Sequence, residues 1–142
     1  MKTLVTVFFC LQMALCLSAQ DKADLTVLIT GLHSDSGQVF VALFDGPENF
    51  PGGGDSEQGS LILAASKDTV RAFFPDLLPG IYAVSFAHDE NGNGEMDTNM
   101  GIPVEKYGVS NNVPMGYGPP TFSEAKFRLN NDTCIVIRPS NY

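Results

Sequence analysis

Residues 81–88 read Ile81-Tyr82-Ala83-Val84-Ser85-Phe86-Ala87-His88, and this stretch decides the fold class. Large apolar side chains alternate here with small ones, which is the period of a β-strand with two different faces. One face carries Tyr82, Val84 and Phe86, whereas the other carries Ala83, Ser85 and Ala87. We therefore predict a strand that packs its large side chains into a core, with His88 on the same inward face.

The other periodic segments also have the two-residue period of strands, and none has a convincing helical period. We predict strands at residues 25–30, 61–65, 69–74, 126–129 and 134–138, and at residues 38–44, where both faces are apolar as in a central strand. The two segments nearest the C-terminus flank a turn at residues 130–132 and predict a closing hairpin. About seven short strands in one chain predict an all-β fold, namely a single antiparallel β-sandwich.

The start of the chain has the pattern of a secretory signal peptide. Lys2 gives a positive start, residues 4–17 are almost wholly apolar, and Ala19 is the expected cleavage position. The apolar run is too short to span a bilayer as a retained helix. We therefore expect residues 1–19 to be a signal peptide and residues 20–142 to be the β-sandwich domain, exported to the periplasm or the extracellular space.

Charge and cysteine content limit the partners and cross-links of the mature chain. The net charge of −8 arises from 16 acidic and 8 basic residues, and it becomes more negative when Lys2 leaves with the signal peptide. An acidic surface without a basic patch argues against nucleic acid and against anionic membranes as partners. Only Cys134 would remain after cleavage, so an internal disulfide is excluded. We expect a monomer whose mature chain does not insert into a membrane.

Residues 89–97, the acidic loop, directly follow the strand predicted at residues 81–88 and read Asp-Glu-Asn-Gly-Asn-Gly-Glu-Met-Asp. Side chains with oxygen atoms alternate along it, as in the calcium loop of an EF-hand, and Gly94 lies where that loop turns sharply. Met100 lies at the position where an EF-hand has a bidentate carboxylate. We therefore predict a Ca²⁺ loop outside a helix–loop–helix context. Its candidate ligands are Asp89, Asn91, Asn93, Glu95 through its carbonyl, Asp97, and Asn99 or Glu105 in place of the missing carboxylate.

An alternative interpretation of the acidic loop is a cluster of β-turns, because Asn-Gly pairs form turns without a metal. The charge pattern favours the metal. Between Arg71 and Lys106 the chain has acids and neither Lys nor Arg, and the acids crowded into residues 89–97 would repel one another without a counter-ion. Ca²⁺ is favoured over Mg²⁺ because its coordination tolerates a flexible loop.

Residues 98–123, the crossing segment, are too rich in Pro and Gly for long regular elements. Tyr107, Val109, Tyr117 and Phe122 give this segment apolar anchors, so we predict an ordered, extended crossing over the sandwich. The aromatic rings could instead form a platform for sugar or peptide, although rings that pin the segment to the sandwich explain them as well.

Several blocks of the chain together resemble one family of bacterial exported proteins, the domain of unknown function 2141. The blocks are residues 78–84, 88–94, 97–99, 101–103, 107–112 and 118–122, together with Glu105. Two positions depart from the expected pattern, because Lys106 stands in place of a Gly and Val109 in place of a Phe. The resemblance implies an exported single-domain protein with an immunoglobulin-like or transthyretin-like (prealbumin-like) sandwich, and it implies no established activity.

Three functions remain open from the sequence. The first is a Ca²⁺-binding structural or interaction module of the cell envelope, with an unknown envelope protein or carbohydrate as its partner. The second is a protein that binds carbohydrate or a small apolar ligand, which a concave aromatic surface beside the acidic loop would favour. The third is a hydrolase, which needs a pocket holding His88 with two carboxylates. We favour a non-enzymatic function, because Ser110, Ser123 and Cys134 lie in no nucleophile motif.

Overall fold

A computed structural model of the protein describes residues 21–52, 58–114, 116 and 118–140. The predicted signal peptide, residues 1–19, and the predicted anchor Tyr117 lie outside these residues. Within them the chain is all-β: β1 Ala23–Ile29, β2 Gln38–Phe44, β3 Ser60–Ala64, β4 Val70–Leu77, β5 Gly80–Asp89, β6 Thr98–Asn99, β7 Ile102–Pro103, β8 Tyr107–Val109, β9 Phe127–Leu129 and β10 Thr133–Ile137. A 3₁₀ turn at Ser110–Asn112 and the four-residue helix α1, Phe122–Ala125, complete the elements. Neither helical element of the described part is long and apolar enough to cross a membrane.

The strands form two main sheets in a sandwich-like arrangement. The smaller sheet has the order β10-β1-β4, and the larger has the order β3-β2-β5-β8 with β9 also paired to β5. Between the sheets lies one apolar core, to which β1 contributes Leu25, Val27 and Ile29, all fully buried. A short hairpin of β6 and β7 stands apart from both sheets.

Strand β5 is an inner strand of the larger sheet, with the main core on one face and a second apolar cluster over part of the other. Its large side chains Tyr82, Val84 and Phe86 belong to the main core, as the alternation predicts. On the opposite face, hereafter the outer face, Ala83 packs in a second apolar cluster with Val109 and Ala125. Phe50, Val113 and Phe122 pack against this cluster, so the crossing segment lies across one end of the outer face.

A buried hydroxyl completes the pairing of β5 along one edge. Residues 85–87 of β5 pair with β8 and residues 80–82 pair with β9, which leaves the edge of β5 without a strand partner between them. Ser110 fills this position: its Oγ accepts a hydrogen bond from the backbone N–H of Val84 at 2.9 Å and donates one to the carbonyl of Ala125 at 2.7 Å. Ser110 is 1% exposed, so this hydroxyl satisfies a backbone group that water does not reach.

The structure differs from the predicted architecture in three respects. It has more strands than the seven predicted, because β6, β7 and β8, which were not predicted, span only two or three residues and are too short to show a period. β10 runs parallel to β1, where an antiparallel arrangement was predicted. β9 and β10 do not pair as the predicted hairpin, because the chain leaves β5 in one sheet after β9 and joins β1 in the other.

Replacing Ser110 by Ala should destabilise the fold by about 1–3 kcal/mol, because the buried Val84 N–H would lose its acceptor. Urea unfolding of the two proteins measures this difference. Ser123 in α1 is exposed, so Ser123→Ala is a matched control whose effect should stay within about 0.5 kcal/mol. Equal effects of the two substitutions would contradict the assigned role of Ser110.

Candidate functional site

Asp89 is the last residue of β5, and its carboxylate organises the start of the acidic loop. The residue is only 2% exposed. Its Oδ1 accepts hydrogen bonds from the backbone N–H groups of Gly92 at 2.7 Å and Asn93 at 3.2 Å. Its Oδ2 accepts from the Gly94 N–H at 2.9 Å and from Nε2 of Gln38 at 3.3 Å. Three consecutive backbone amides therefore fold back onto one carboxylate.

These hydrogen bonds set the protonation of Asp89. Burial raises the pKa of this carboxyl, but the donors on Gly94, Gln38, Gly92 and Asn93 together outweigh burial and hold the pKa below its ordinary value of 3.8. The charged form is thus favoured in the folded state. Asp89 accordingly contributes to stability above pH 3.8, and this contribution is lost as the pH falls through the lowered pKa of the folded state.

Three further side chains of the acidic loop converge on one another. Asp97 accepts hydrogen bonds from Nδ2 of Asn91 at 2.6 Å and from Nδ2 of Asn93 at 2.9 Å. The amide oxygens of the two asparagines accept backbone N–H groups within the loop, from Asn93 at 2.9 Å and from Glu95 at 2.8 Å. The loop is therefore closed by side chains at alternate positions.

The side chain of Glu105, which lies outside the acidic loop in sequence, binds the backbone of the loop at two positions. The residue is 7% exposed, its Oε1 accepts the backbone N–H of Glu90, and its Oε2 accepts the backbone N–H of Asp97, both at 3.0 Å. One carboxylate thereby joins the two ends of the acidic loop after the chain has passed through the β6–β7 hairpin.

The predicted ligands do not all meet. The backbone N–H of Asn93 donates to the side chains of both Asp89 and Asn91, and the Asn91 amide donates to Asp97. Glu105 accepts the backbone N–H of Asp97. Asn99 instead lies exposed in β6, where it pairs with Ile102, and its side chain makes no hydrogen bond to the loop in the described part of the chain. Among the described residues, no group of three or more His, Cys, Asp or Glu side chains is placed to hold a metal ion.

His88 lies on the inner face of β5 and is fully buried, as the alternation predicts. Its Nε2 is 2.9 Å from the carbonyl of Ser36, which can only accept, so Nε2 carries a proton. Its Nδ1 has no hydrogen bond within the described residues and lies 3.7 Å from Oε1 of Glu90. The ring therefore ties the end of β5 to the β1–β2 connection.

A cavity of about 710 Å³ lies on the outer face of the larger sheet, beside the acidic loop. Its floor includes Ala87, which lies in register between Phe40 of β2 and Tyr107 of β8. The acidic loop forms one wall, to which Glu95 and Met96 contribute. The lining is mostly apolar, and His88 is not part of it because its ring lies on the other face of β5.

The chain was compared with family models, with curated proteins and with solved structures. Residues 27–136 match the model of a family described as an uncharacterized protein conserved in bacteria (DUF2141). The chain belongs to this family. The match confirms the resemblance inferred from the sequence blocks, and the family description assigns no activity. No curated protein and no solved structure matched.

Sequence reasoning about this DUF2141 protein missed residues that reach the site from β2 and from the turn before it. Gln38 donates to Asp89, Phe40 lines the cavity, and Gly37 lies against the backbone of the acidic loop. A Cβ at Gly37 would come 2.0 Å from the carbonyl oxygen of Asp89, and its φ of 75° also favours glycine. The sequence places Gly37 in a polar turn, but this position does not indicate that the backbone of Asp89 and Glu90 packs against it.

Replacing Glu105 by Gln in the DUF2141 protein should loosen the acidic loop locally. The amide nitrogen of Gln cannot accept, so either the Glu90 or the Asp97 N–H loses its acceptor, and its hydrogen exchange should become roughly fivefold faster or more. Amide exchange followed by NMR measures both sites. Glu95→Gln, at an exposed position, is the control and should leave both rates unchanged. Unchanged exchange rates of both amides in the Glu105 variant would contradict the role assigned to the Glu105 hydrogen bonds.

Proposed function

We propose that this chain is an exported, Ca²⁺-binding β-sandwich protein that acts as a structural or interaction module of the cell envelope. The fold that we propose for it is immunoglobulin-like or transthyretin-like, as the family resemblance implies. The observation that carries the Ca²⁺ proposal is the convergence of Asn91 and Asn93 on the Asp97 carboxylate, at 2.6 and 2.9 Å. These contacts are made by the amide nitrogens of the two asparagines, and the amide oxygens of the same side chains, together with the Asp97 carboxylate, are ligands of the type that Ca²⁺ prefers.

Binding of Ca²⁺ would require a limited change of hydrogen bonds. The two asparagines now offer N–H groups to Asp97, so each amide would turn its oxygen towards the ion. Asp89 could release Gln38, its most distant donor, and keep its backbone donors. Residues 72–105 contain neither Lys nor Arg, so no basic side chain in this stretch offsets its carboxylates. The ion would reduce the repulsion among the carboxylates of Asp89, Glu90, Glu95, Asp97 and Glu105.

The role that we propose for the ion is structural. The acidic loop leads directly into the crossing segment, which begins with the β6–β7 hairpin. The strands of this segment are two or three residues long and therefore have few backbone hydrogen bonds between strands. An ion in the loop would stabilise the point from which the crossing segment starts. An extracellular loop of this kind binds Ca²⁺ weakly, with a dissociation constant of about 10⁻⁴–10⁻³ M.

Ca²⁺ at about 2 mM should therefore stabilise the protein by about 0.7–1.8 kcal/mol, which raises the melting temperature by a few degrees. Asp97→Asn should remove most of this shift, whereas Asp68→Asn, at an exposed position outside the loop, should keep it. Calorimetric melting in Ca²⁺, in Mg²⁺ and in chelator provides the measurement. Limited proteolysis should also cut the crossing segment sooner in chelator. Identical melting in Ca²⁺ and chelator would remove the metal proposal.

Export is the other part of the proposal, and it is tested separately. The protein produced in a bacterium with its own signal sequence should be recovered from the periplasm or the medium. Its intact mass should correspond to a chain that begins at Gln20. A mass that retains residues 1–19 would contradict export by this signal.

A second function, binding of a small ligand, is supported by the cavity beside the acidic loop. Its volume of about 710 Å³ falls within the range of about 300–1,000 Å³ that is usual for ligand sites. Aromatic side chains of Phe40 and Tyr107 flank its floor, which is the feature that would favour a ligand-binding protein.

A further inference from the structure

We propose that the cavity on the outer face of the larger sheet binds a small amphiphilic cation, namely a molecule with an apolar body and an ammonium-type head. This inference rests on the second function proposed above and names its ligand class. It does not depend on Ca²⁺ binding.

The apolar body would lie on the sheet. Ala87 is small, and its neighbours in register, Phe40 and Tyr107, are large, so the outer face is recessed along β5 between two aromatic side chains. Val109 and Ile62 extend the apolar lining, and Ile62 is 63% exposed. Val109 is already buried, so an apolar ligand bound here would shield mainly itself and the exposed side chain of Ile62 from water, and such burial is the main source of affinity in cavities of this kind.

The charge of the lining selects the head group. Asp89, Glu95 and Glu105 line the cavity, and among the described residues that line it there is neither Lys, Arg nor His. The oxygens of Asp89 and Glu105 are held by N–H donors, so their negative charges are fixed on this side of the cavity. Glu95 is exposed and can approach a ligand. Such a field attracts a cation and repels an anion.

The same lining is less suited to a neutral sugar. A sugar needs several neutral donors and acceptors placed around its hydroxyl groups. The hydroxyl of Ser85, one of the few neutral polar groups in the lining, already donates to the carbonyl of Pro51 at 3.2 Å. The other hydroxyls among the described lining residues are those of Ser60 and Tyr107, whereas the three carboxylates supply all of the formal charge of this lining.

Three probes with one apolar body and different heads test this proposal: 4-phenylbutylamine, 4-phenylbutanol and 4-phenylbutyrate. The measurements are calorimetric affinity and NMR shifts of the unmodified mature protein, in chelator so that Ca²⁺ plays no part. The amine should bind with shifts at Phe40, Ala87 and Tyr107, and the carboxylate should bind at least about tenfold more weakly. Equal affinity for amine, alcohol and carboxylate, or shifts confined to other surfaces, would overturn the proposal.

Substitutions locate the site. Glu95→Gln should reduce the preference for the amine over the alcohol by about two- to fivefold and leave the alcohol unaffected. Asp76→Asn, an equal charge change on the other sheet, should leave that preference intact. Ala87→Phe should fill the recess and abolish binding of all three probes, whereas Thr26→Phe on β1 should not. If Ala87→Phe fails to fold, the Glu95 and Asp76 pair still decides the result, and an identical effect of those two substitutions would overturn the proposal.

Discussion

The carboxylate of Asp89, held by the backbone N–H groups of Gly92, Asn93 and Gly94, is the interaction on which the functional face depends. A buried carboxylate is costly unless its oxygens are satisfied, and here three of the four donors come from the loop itself. The cost of leaving the charge unpaired therefore forces the chain to turn back at the end of β5. This turn places the acidic loop beside the outer face of the sheet.

The outer face follows from the composition of β5. Large side chains at Tyr82, Val84 and Phe86 supply the main core, whereas Ala83, Ser85 and Ala87 on the opposite face of the same strand are small. Small side chains cannot fill the space above the sheet. The crossing segment fills one part of that space around Ala83, and the remaining part around Ala87 is the cavity. The core and the candidate ligand site are two consequences of one alternating strand.

Much of this was predictable, because it depends on local patterns. The two faces of β5 follow from its alternation, and the position of the loop follows from Asp89 being the next residue after His88. Contacts between distant parts of the chain were not predictable in the same way. Gln38 lies 51 residues from Asp89, and nothing in its own surroundings indicates that it donates to a carboxylate. The parallel pairing of β10 with β1 likewise depends on the path of the chain between sheets rather than on the pattern within either strand.

Glu105 shows the limit of motif matching at the candidate site. It was predicted, as an alternative to Asn99, to replace the carboxylate that the EF-hand pattern lacks at Met100, and the structure places it at the loop, but its oxygens accept the backbone N–H groups of Glu90 and Asp97. Asp89 likewise holds backbone amides in this state, so its role as organiser of the loop comes before any role as a ligand. The direct test is a carboxyl ¹³C NMR titration of Asp89 in the metal-free protein. We predict a midpoint below the ordinary value of 3.8, because the loop N–H groups favour the charged form. A midpoint at or above 3.8 would contradict the central role of these hydrogen bonds.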